Sequence, residues 1–585
     1  TVPVFPDGTD GYMNNMFFTA DGKMIVCADI YGTDSSKQLI ITLDLATGAR
    51  TELDTKNDYR LGNSLFAGPD GTFYCSDQNG IYTVDPTTLA KTEILNYINS
   101  DYIYKYSNFT MLPDGRIATF RGNYNPGAMA STYAVTIFTK VPDSEITPKY
   151  IITVASAGYA YNLQEQIVKY NLASEEYRIK YVDYSQYNTD EDYNAGQTRL
   201  GDDILAGNVP DVLIADQQFS VSKYVSKGLF ADLYTFIDKD ESMKREEFLE
   251  NILAGCEIDG KLYEIPTNFY IQGMIGPKET IDTFRDLTIR EFVDKLSTLP
   301  EGVTFFRDGD ITRETLLQML FLTNYQNFID RKTGKCSINN DECRALLEFA
   351  KMMPEKSLWD RDGFDSSTFD WDAYNNMFRD GKALAQQVSI GDFSGIRDYA
   401  YSYEKNTELD FIGFPAPDRA GMSFTTANLK FLVSAKGAFP DASWEFVKIF
   451  LADDYQTNQS WGFPVKKAAL EAKKQAMLDQ IKENEKNRDE DGDTTGDGNI
   501  IGGAQATVIS DVYYDDVYYR REVTAADVET VYGYACTAKK QFVYDTSLFD
   551  IINEEASAYF AGTKTLDEIL PLMESRITIF LSEGR

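Results

Sequence analysis

The stretch Gly255–Pro277, GCEIDGKLYEIPTNFYIQGMIGP, is an extended run dominated by β-branched and aromatic residues, with polar Asn268 and Gln272 among them. Pro266 lacks the N–H that an interior strand donates. The run reads as a strand that leaves one lobe and enters another, with its polar and aromatic side chains facing a cleft. An edge strand kinked at Pro266 fits the local sequence equally well. The absence of histidine bounds the chemistry. It rules out Ser-His-Asp and Cys-His sites and removes the commonest zinc ligand and general base. Carboxylate-pair chemistry stays open and needs two carboxylates about 5–10 Å apart. Asp216 and Asp392 can be construed as such a pair, but nothing else in the chain supports that role.

Asp489–Asn499, DEDGDTTGDGN, resembles a calcium loop. With Asp491, Asp493 and Thr495 as ligands, Gly496 falls at the sharp turn, but Gly502 stands where an EF-hand needs its bidentate Glu. A non-EF calcium site at Asp491, Asp493, Thr495, Asp497 and Asn499 therefore stands beside the plainer reading of a solvated acidic loop. No other cofactor is expected. None of the six cysteines forms a CxxC pair. Cys336 and Cys343 suit a short disulfide loop in an oxidising compartment; buried free thiols are the simpler expectation.

These residues must be held by several domains, because 585 residues exceed one core. The formal charge of −35 opposes nucleic acid and anionic membranes, both of which select Lys and Arg. No apolar run is long enough to span a bilayer.

Residues 1–142 repeat an apolar strand, an Asp-Gly turn and a second strand, with turns at Asp21-Gly22, Asp70-Gly71 and Asp114-Gly115. The period of roughly 45 residues is that of propeller blades, although three units are too few to close a ring. After a linker at 143–148 the pattern becomes β-α-β-α-β. Tyr150–Ser156, Tyr177–Tyr184 and Asp211–Ala215 are strands of a parallel sheet whose ligands bind at the strands' carboxyl ends.

The ordered segments IITVASAG, AGNVPDVLIAD…GLFADL, GKLYEIPTNFYIQGMIGPK, FRDGKALAQQVSIGDF with IGFPAPDRAG and LVSAKGAFPDASWEFVKIFL, and WGFPVKKAALEA with the terminal helices resemble an extracellular solute-binding protein of the family 1 carbohydrate type. That class feeds ABC importers. The resemblance covers roughly 149–585 and departs at Gly276-Pro277-Lys278, where members commonly have Tyr-Asn-Lys. It implies an α/β two-lobe, periplasmic-binding-protein-like (type II) fold behind the all-β propeller-like module at 1–142. Lobe 1 is expected at 149–265 and 411–455, and lobe 2 at 266–410 and 456–585.

The resemblance implies a carbohydrate held between hinged lobes, with no catalysis, and ABC permease subunits as partners of a monomer. It also implies display outside the cell by a lipid tether. Sugars stack on aromatic faces and bond planar polar groups. The candidates are Tyr159 and Tyr161 after the first strand, Asp216 and Gln217 after the third, and Asn268, Tyr270 and Gln272 on the crossing strand. Asp392, Phe393 and Trp461 complete the set. Each also has a plain reading as an exposed loop residue, or as a core residue for Phe393 and Trp461. A glycoside hydrolase and a surface-adhesion protein working through the repeats are the alternatives.

Overall fold

The computed structural model describes residues 10–583 except 20–21, 32–35, 54–64, 69–70, 78, 86–87, 105–107, 126–129, 159–162, 190–191, 217–218, 220, 331–332, 401, 404–406, 427–428, 459–460, 492–521 and 544–545. The chain forms two compact units, one of residues 1–152 with 161–181 and one of 153–160 with 182–585.

The first unit holds three antiparallel sheets in sequence order. They are β1 to β4 (Asp10–Phe18, Met24–Tyr31, Ser36–Leu43, Arg50–Leu53) and β5 to β8 (Phe66–Ala67, Phe73–Ser76, Gly80–Val84, Lys91–Asn96), followed by β9 to β11 (Asn108–Met111, Ile117–Asn125, Ala130–Phe138). The glycines of the three Asp-Gly pairs are placed alike. Gly22, Gly71 and Gly115 all have φ near +80°, a region open to Gly, and each donates its N–H to the residue three before it. The sheets pack face to face: Ile25, Cys27 and Ile40 meet Phe73, Cys75 and Val84, and Ile81 on the other side of the second sheet clusters with Ile117 of the third. Among the described residues this is an open stack, with no closed ring.

The expected boundary at 143–148 is not where contacts thin out. The helix Leu163–Ala173 and the first residues of the following strand belong with the N-terminal sheets. Arg178 ties them there, bonding Asp101 Oδ1 at 2.8 Å and the carbonyls of Ile98 and Asn99. The boundary instead cuts β12 (Tyr150–Ser156) and β13 (Tyr177–Asp183).

In the second unit, β12 runs parallel to β14 (Val212–Ala215). A hairpin, β15 (Glu257–Ile258) and β16 (Lys261–Leu262), leads into β17 (Ile265–Pro266) and β18 (Asn268–Pro277). β18 is the axis of a second, seven-stranded sheet. Its other members are β19 (Thr304–Phe306), β22 (Ala383–Ile390), β23 (Leu409–Ile412), β24 (Ser423–Thr426), β26 (Phe463–Pro464) and β27 (Lys540–Gln541). A small hairpin, β20 (Ile329–Asp330) and β21 (Lys335–Cys336), lies between its helices. β25 (Lys430–Val433) returns to the first sheet, between β14 and β17.

The chain thus passes from the first sheet to the second at Thr267, between Pro266 and Asn268, and is back in the first sheet at Lys430. Lobe 1 was expected to resume at 411. Instead Leu409–Ile412 and Ser423–Thr426 both pair with β18, Ser423–Phe424 pairs on its other side with Lys540–Gln541 of the same sheet, and the first sheet resumes at Lys430. Helices Arg313–Phe328, Asp341–Met352, Thr546–Phe560 and Leu566–Glu583 bury the second sheet around Met274, Ala385 and Ile412. All six cysteines are free thiols, Cys336 and Cys343 included.

Candidate functional site

β18 alternates strictly over its first half. Phe269 and Ile271 are buried, while Asn268, Tyr270 and Gln272 are half-exposed on the opposite face. Three connections meet there. Gln272 Nε2 donates to Ser389 Oγ at 2.6 Å at the end of β22. Asn268 Nδ2 donates to the Trp461 carbonyl at 2.6 Å just before β26, and Asn268 Oδ1 is buried with no hydrogen-bond partner among the described residues. Thr425 of β24 pairs with Tyr270 from the other side.

Tyr270 sits in a slot made by two glycines. A Cβ at Gly391 would stand 2.5 Å from Tyr270 Cδ1 and 3.1 Å from the Cα of Gly462. A Cβ at Gly462 would stand 3.2 Å from Tyr270 Cε2. Gly462 also has φ +74°, so both its backbone and its space call for glycine. The two glycines are neighbours that pack together against one ring, and the Asp392 charge acts on its phenol. Burial, and then the Asp392 charge, raise the Tyr270 pKa, so the phenol stays a donor.

Asp392 is fixed by its own turn, its Oδ1 accepting from Ser394 N and Oγ. Phe393, expected as a contact, is buried edge-on against Phe463 and supports the site from beneath. Trp461 remains 52 % exposed. The structure therefore gathers Asn268, Tyr270, Gln272, Asp392 and Trp461 around one strand face.

Asp216 lies in a different group, after β14. Its Oδ2 would meet a Cβ at Gly158 at 3.3 Å, and its Oδ1 accepts from Phe219 N at 3.0 Å. Gly158 therefore keeps the end of β12 clear for that carboxylate. Tyr159, Tyr161 and Gln217 lie outside the described residues. So do Asp493, Thr495, Asp497 and Asn499 of the acidic loop, and Asp491 ends the helix Lys467–Asp491. Among the described residues no three acidic or cysteine side chains cluster as metal ligands.

Sequence reasoning missed Lys473, on that same helix. Burial lowers its pKa, and the Asp392 charge opposes the shift. A lysine in a helix this rich in charge reads as solvated, and only the packed structure brings it into the field of Asp392. The same reasoning missed Gly391 and Gly462, whose role appears only once the Tyr270 ring is placed.

A strand at the axis of the second sheet whose open face carries an aromatic ring, two amides and a neighbouring carboxylate, in a unit whose two sheets are joined by a crossing segment, is the arrangement of a binding protein. Residues 173–486, more than half of the chain, match the family of bacterial extracellular solute-binding proteins, and the chain belongs to that family. Among solved structures it is similar to the sugar-binding protein MalE of Xanthomonas citri, with 11 % identity, a TM-score of 0.47, and 74 % of this chain and 98 % of that one covered. It is similar to a cyclic alpha-maltosyl-1,6-maltose binding protein of Arthrobacter globiformis, with 14 % identity, TM-score 0.43, and 75 % and 100 % covered. It is also similar to an ABC substrate-binding protein of Listeria monocytogenes in complex with cycloalternan, with 15 % identity, TM-score 0.42, and 74 % and 100 % covered. No curated protein matches the chain. Among the described residues no helix is long and apolar enough to cross a membrane.

Proposed function

We propose that this solute-binding protein captures an oligosaccharide against the exposed face of β18 and delivers it to the permease of an ABC importer, with no bond made or broken. The observation that carries the reading is the glycine slot. It fixes the Tyr270 ring between Asn268 and Gln272, with Trp461 and Asp392 beside it. Rings of this kind stack on sugar C–H faces, while amides and carboxylates take hydroxyls. Asp216, at the carboxyl end of β14, supplies the contact from the first sheet.

The crossing at Thr267 is the hinge about which the two sheets close. A ligand touching both sides favours the closed form by its differential affinity for it. The protein works outside the cell, held by a lipid tether, and the three stacked sheets of the first unit form a propeller-like accessory module. Calorimetric titration with a panel of oligosaccharides, with product analysis of each mixture, tests the reading. Saturable binding with no products is expected. Steady turnover abolished by Asp216→Asn would replace it with a glycosidase.

A further inference from the structure

Residues 353–370 join the helices Asp341–Met352 and Trp371–Asn375 with no strand or helix of their own, and every one of them is described. Ordered connections longer than about 12–15 residues are uncommon and usually functional. This one is pinned to the turn after β19. Leu358 is buried there, and a Cβ at Gly309, whose φ is +88°, would stand 2.9 Å from Leu358 Cβ. Arg361 forks onto Asp308 with two bonds of 2.7 Å, and the Pro354 carbonyl accepts from Arg313 N at 2.9 Å. The Tyr374 hydroxyl donates to Asp310 Oδ1 at 2.9 Å. The segment is thus fixed at the carboxyl end of β19, which runs parallel to β22. Parallel strands present their ligand loops at such ends, and β22 ends beside the Ser389 that Gln272 bonds.

The loop and the helix after it carry Trp359, Phe364, Phe369, Trp371 and Tyr374, each ring in contact with another and none of them buried. Trp371 lies against Trp359 at 5.3 Å and 30°, and Phe364 meets Trp359 edge-on at 5.5 Å, yet Trp359 is still 65 % exposed. Trp371 is itself held by its Nε1–H, which donates to the Ser366 carbonyl at 2.9 Å. A satellite core would bury rings of this size. The residues that flank Trp359 in the chain line a cleft of 490 Å³, namely Pro354, Glu355, Lys356, Arg361 and Asp362. That volume is in the range of small-ligand sites. Its two acids and two bases leave the lining neutral, and Lys356 Nζ donates to Asp362 Oδ2 at 3.0 Å.

We propose that this loop is a second carbohydrate site, which stacks a neutral oligosaccharide on Trp359 and takes its hydroxyls on the charged groups of the cleft. The proposal rests on the reading of the chain as a sugar-binding protein and adds a site apart from Tyr270 and Asp392. A braced, exposed ring suits the C–H face of a sugar, and a guanidinium and carboxylates suit its hydroxyls. The formal charge of −35 opposes a polyanion such as a nucleic acid, the other ligand that stacks on exposed rings. A quaternary ammonium needs rings set around a space. Here neighbouring ring centroids stand 4.9 to 5.5 Å apart and fill the space between them. One exposed ring over an open cleft makes a weak site, on the order of millimolar.

The chain has four tryptophans, and fluorine NMR of the full chain labelled with fluorotryptophan reads each of them separately. Trp359 and Trp371 report the loop, Trp461 reports the β18 face, and buried Trp444 is the control. Maltoheptaose, cellohexaose and xylohexaose are titrated to about 20 mM, with choline chloride as the cation probe. The expected result is a saturable shift of Trp359 and Trp371 with at least one sugar and none with choline. Trp359→Ala, at an exposed position, should abolish the Trp371 shift and leave the circular dichroism spectrum unchanged, while Tyr270→Ala should leave both loop shifts as they are. No loop shift with any of the three sugars would overturn the proposal. So would a loop response to choline, a Trp371 shift that persists in Trp359→Ala, or loop shifts lost in Tyr270→Ala. A Trp461 shift without loop shifts sinks this site alone, and loop shifts without a Trp461 shift count only against the β18 face.

Discussion

Gly391→Ala is the substitution that asks most of the proposed site. The new methyl would sit 2.5 Å from Tyr270 Cδ1, whereas carbon atoms rest about 3.5–4.0 Å apart. The ring must therefore shift by about 1 Å or more. Gly462, next to Gly391, packs against the same ring, where its own Cβ would stand 3.2 Å from Cε2. The ring must leave the slot or push the Gly462 turn, and overpacking of this kind costs about 1–3 kcal/mol. A ring lifted from its slot no longer presents its face to a ligand. Gly391→Ala should therefore weaken binding about as much as Tyr270→Ala, roughly tenfold to hundredfold, or about 1–3 kcal/mol of one large side chain's contact. The double variant gives the sharper reading. With the ring gone the methyl has room, so Gly391→Ala in the Tyr270→Ala background should change neither affinity nor Tm further. Titration calorimetry and thermal unfolding of the four proteins complete the cycle. Full additivity of the two changes, or wild-type affinity and Tm in Gly391→Ala, would refute the slot.

Two further outcomes follow from the ion pairs. Lys430 and Glu264 are both buried, 3.2 Å apart at the crossing between the sheets, and Gln541 Nε2 donates to Glu264 Oε1 at 2.9 Å. Lys430→Met should cost about 3–5 kcal/mol by stranding the carboxylate, while Lys430→Met with Glu264→Leu recovers most of that loss; denaturant unfolding of the two variants checks this. Asp240 is held below the ordinary carboxylate range: burial opposes its ionisation, but hydrogen bonds from Ser242, Trp444 and Lys448 outweigh it. A depressed carboxyl pKa contributes stability above its unfolded value and loses it as pH falls. The Tm gap between wild type and Asp240→Asn should thus be present at pH 7 and narrow below about pH 4, which calorimetric scans at both pH values would show.

Local signals made the crossing one of two equal readings of β18, and the strand pairing decides for it. Pro266 ended the ladder of β17, and the polar positions of the strand turned out to share its open face. The Asp-Gly turns likewise located the hairpins of all three N-terminal sheets. What the sequence could not show is long-range. Leu409–Ile412 and Ser423–Thr426 read as a return to the first sheet because strand partners are not written in local pattern; only pairing with β18 assigns them to the second. Arg178 holds its segment to the first unit through contacts nearly 80 residues away in the chain, which no linker composition reveals. Phe393 looked like a cleft aromatic because it follows Asp392, yet one residue along a turn reverses its direction and buries it. The two glycines around Tyr270 carry no signature of their own, since a glycine's role depends on the ring that fills its space.

The central claim is that a carbohydrate binds on the β18 face. Its most direct measurement is the dissociation constant of the best oligosaccharide from the panel for wild type, Tyr270→Ala, Trp461→Ala and Asp392→Asn. The account predicts a tenfold to hundredfold weakening, about 1–3 kcal/mol, for Tyr270→Ala, with losses in the other two. Unchanged affinity in all three variants, with their folds intact, would contradict it.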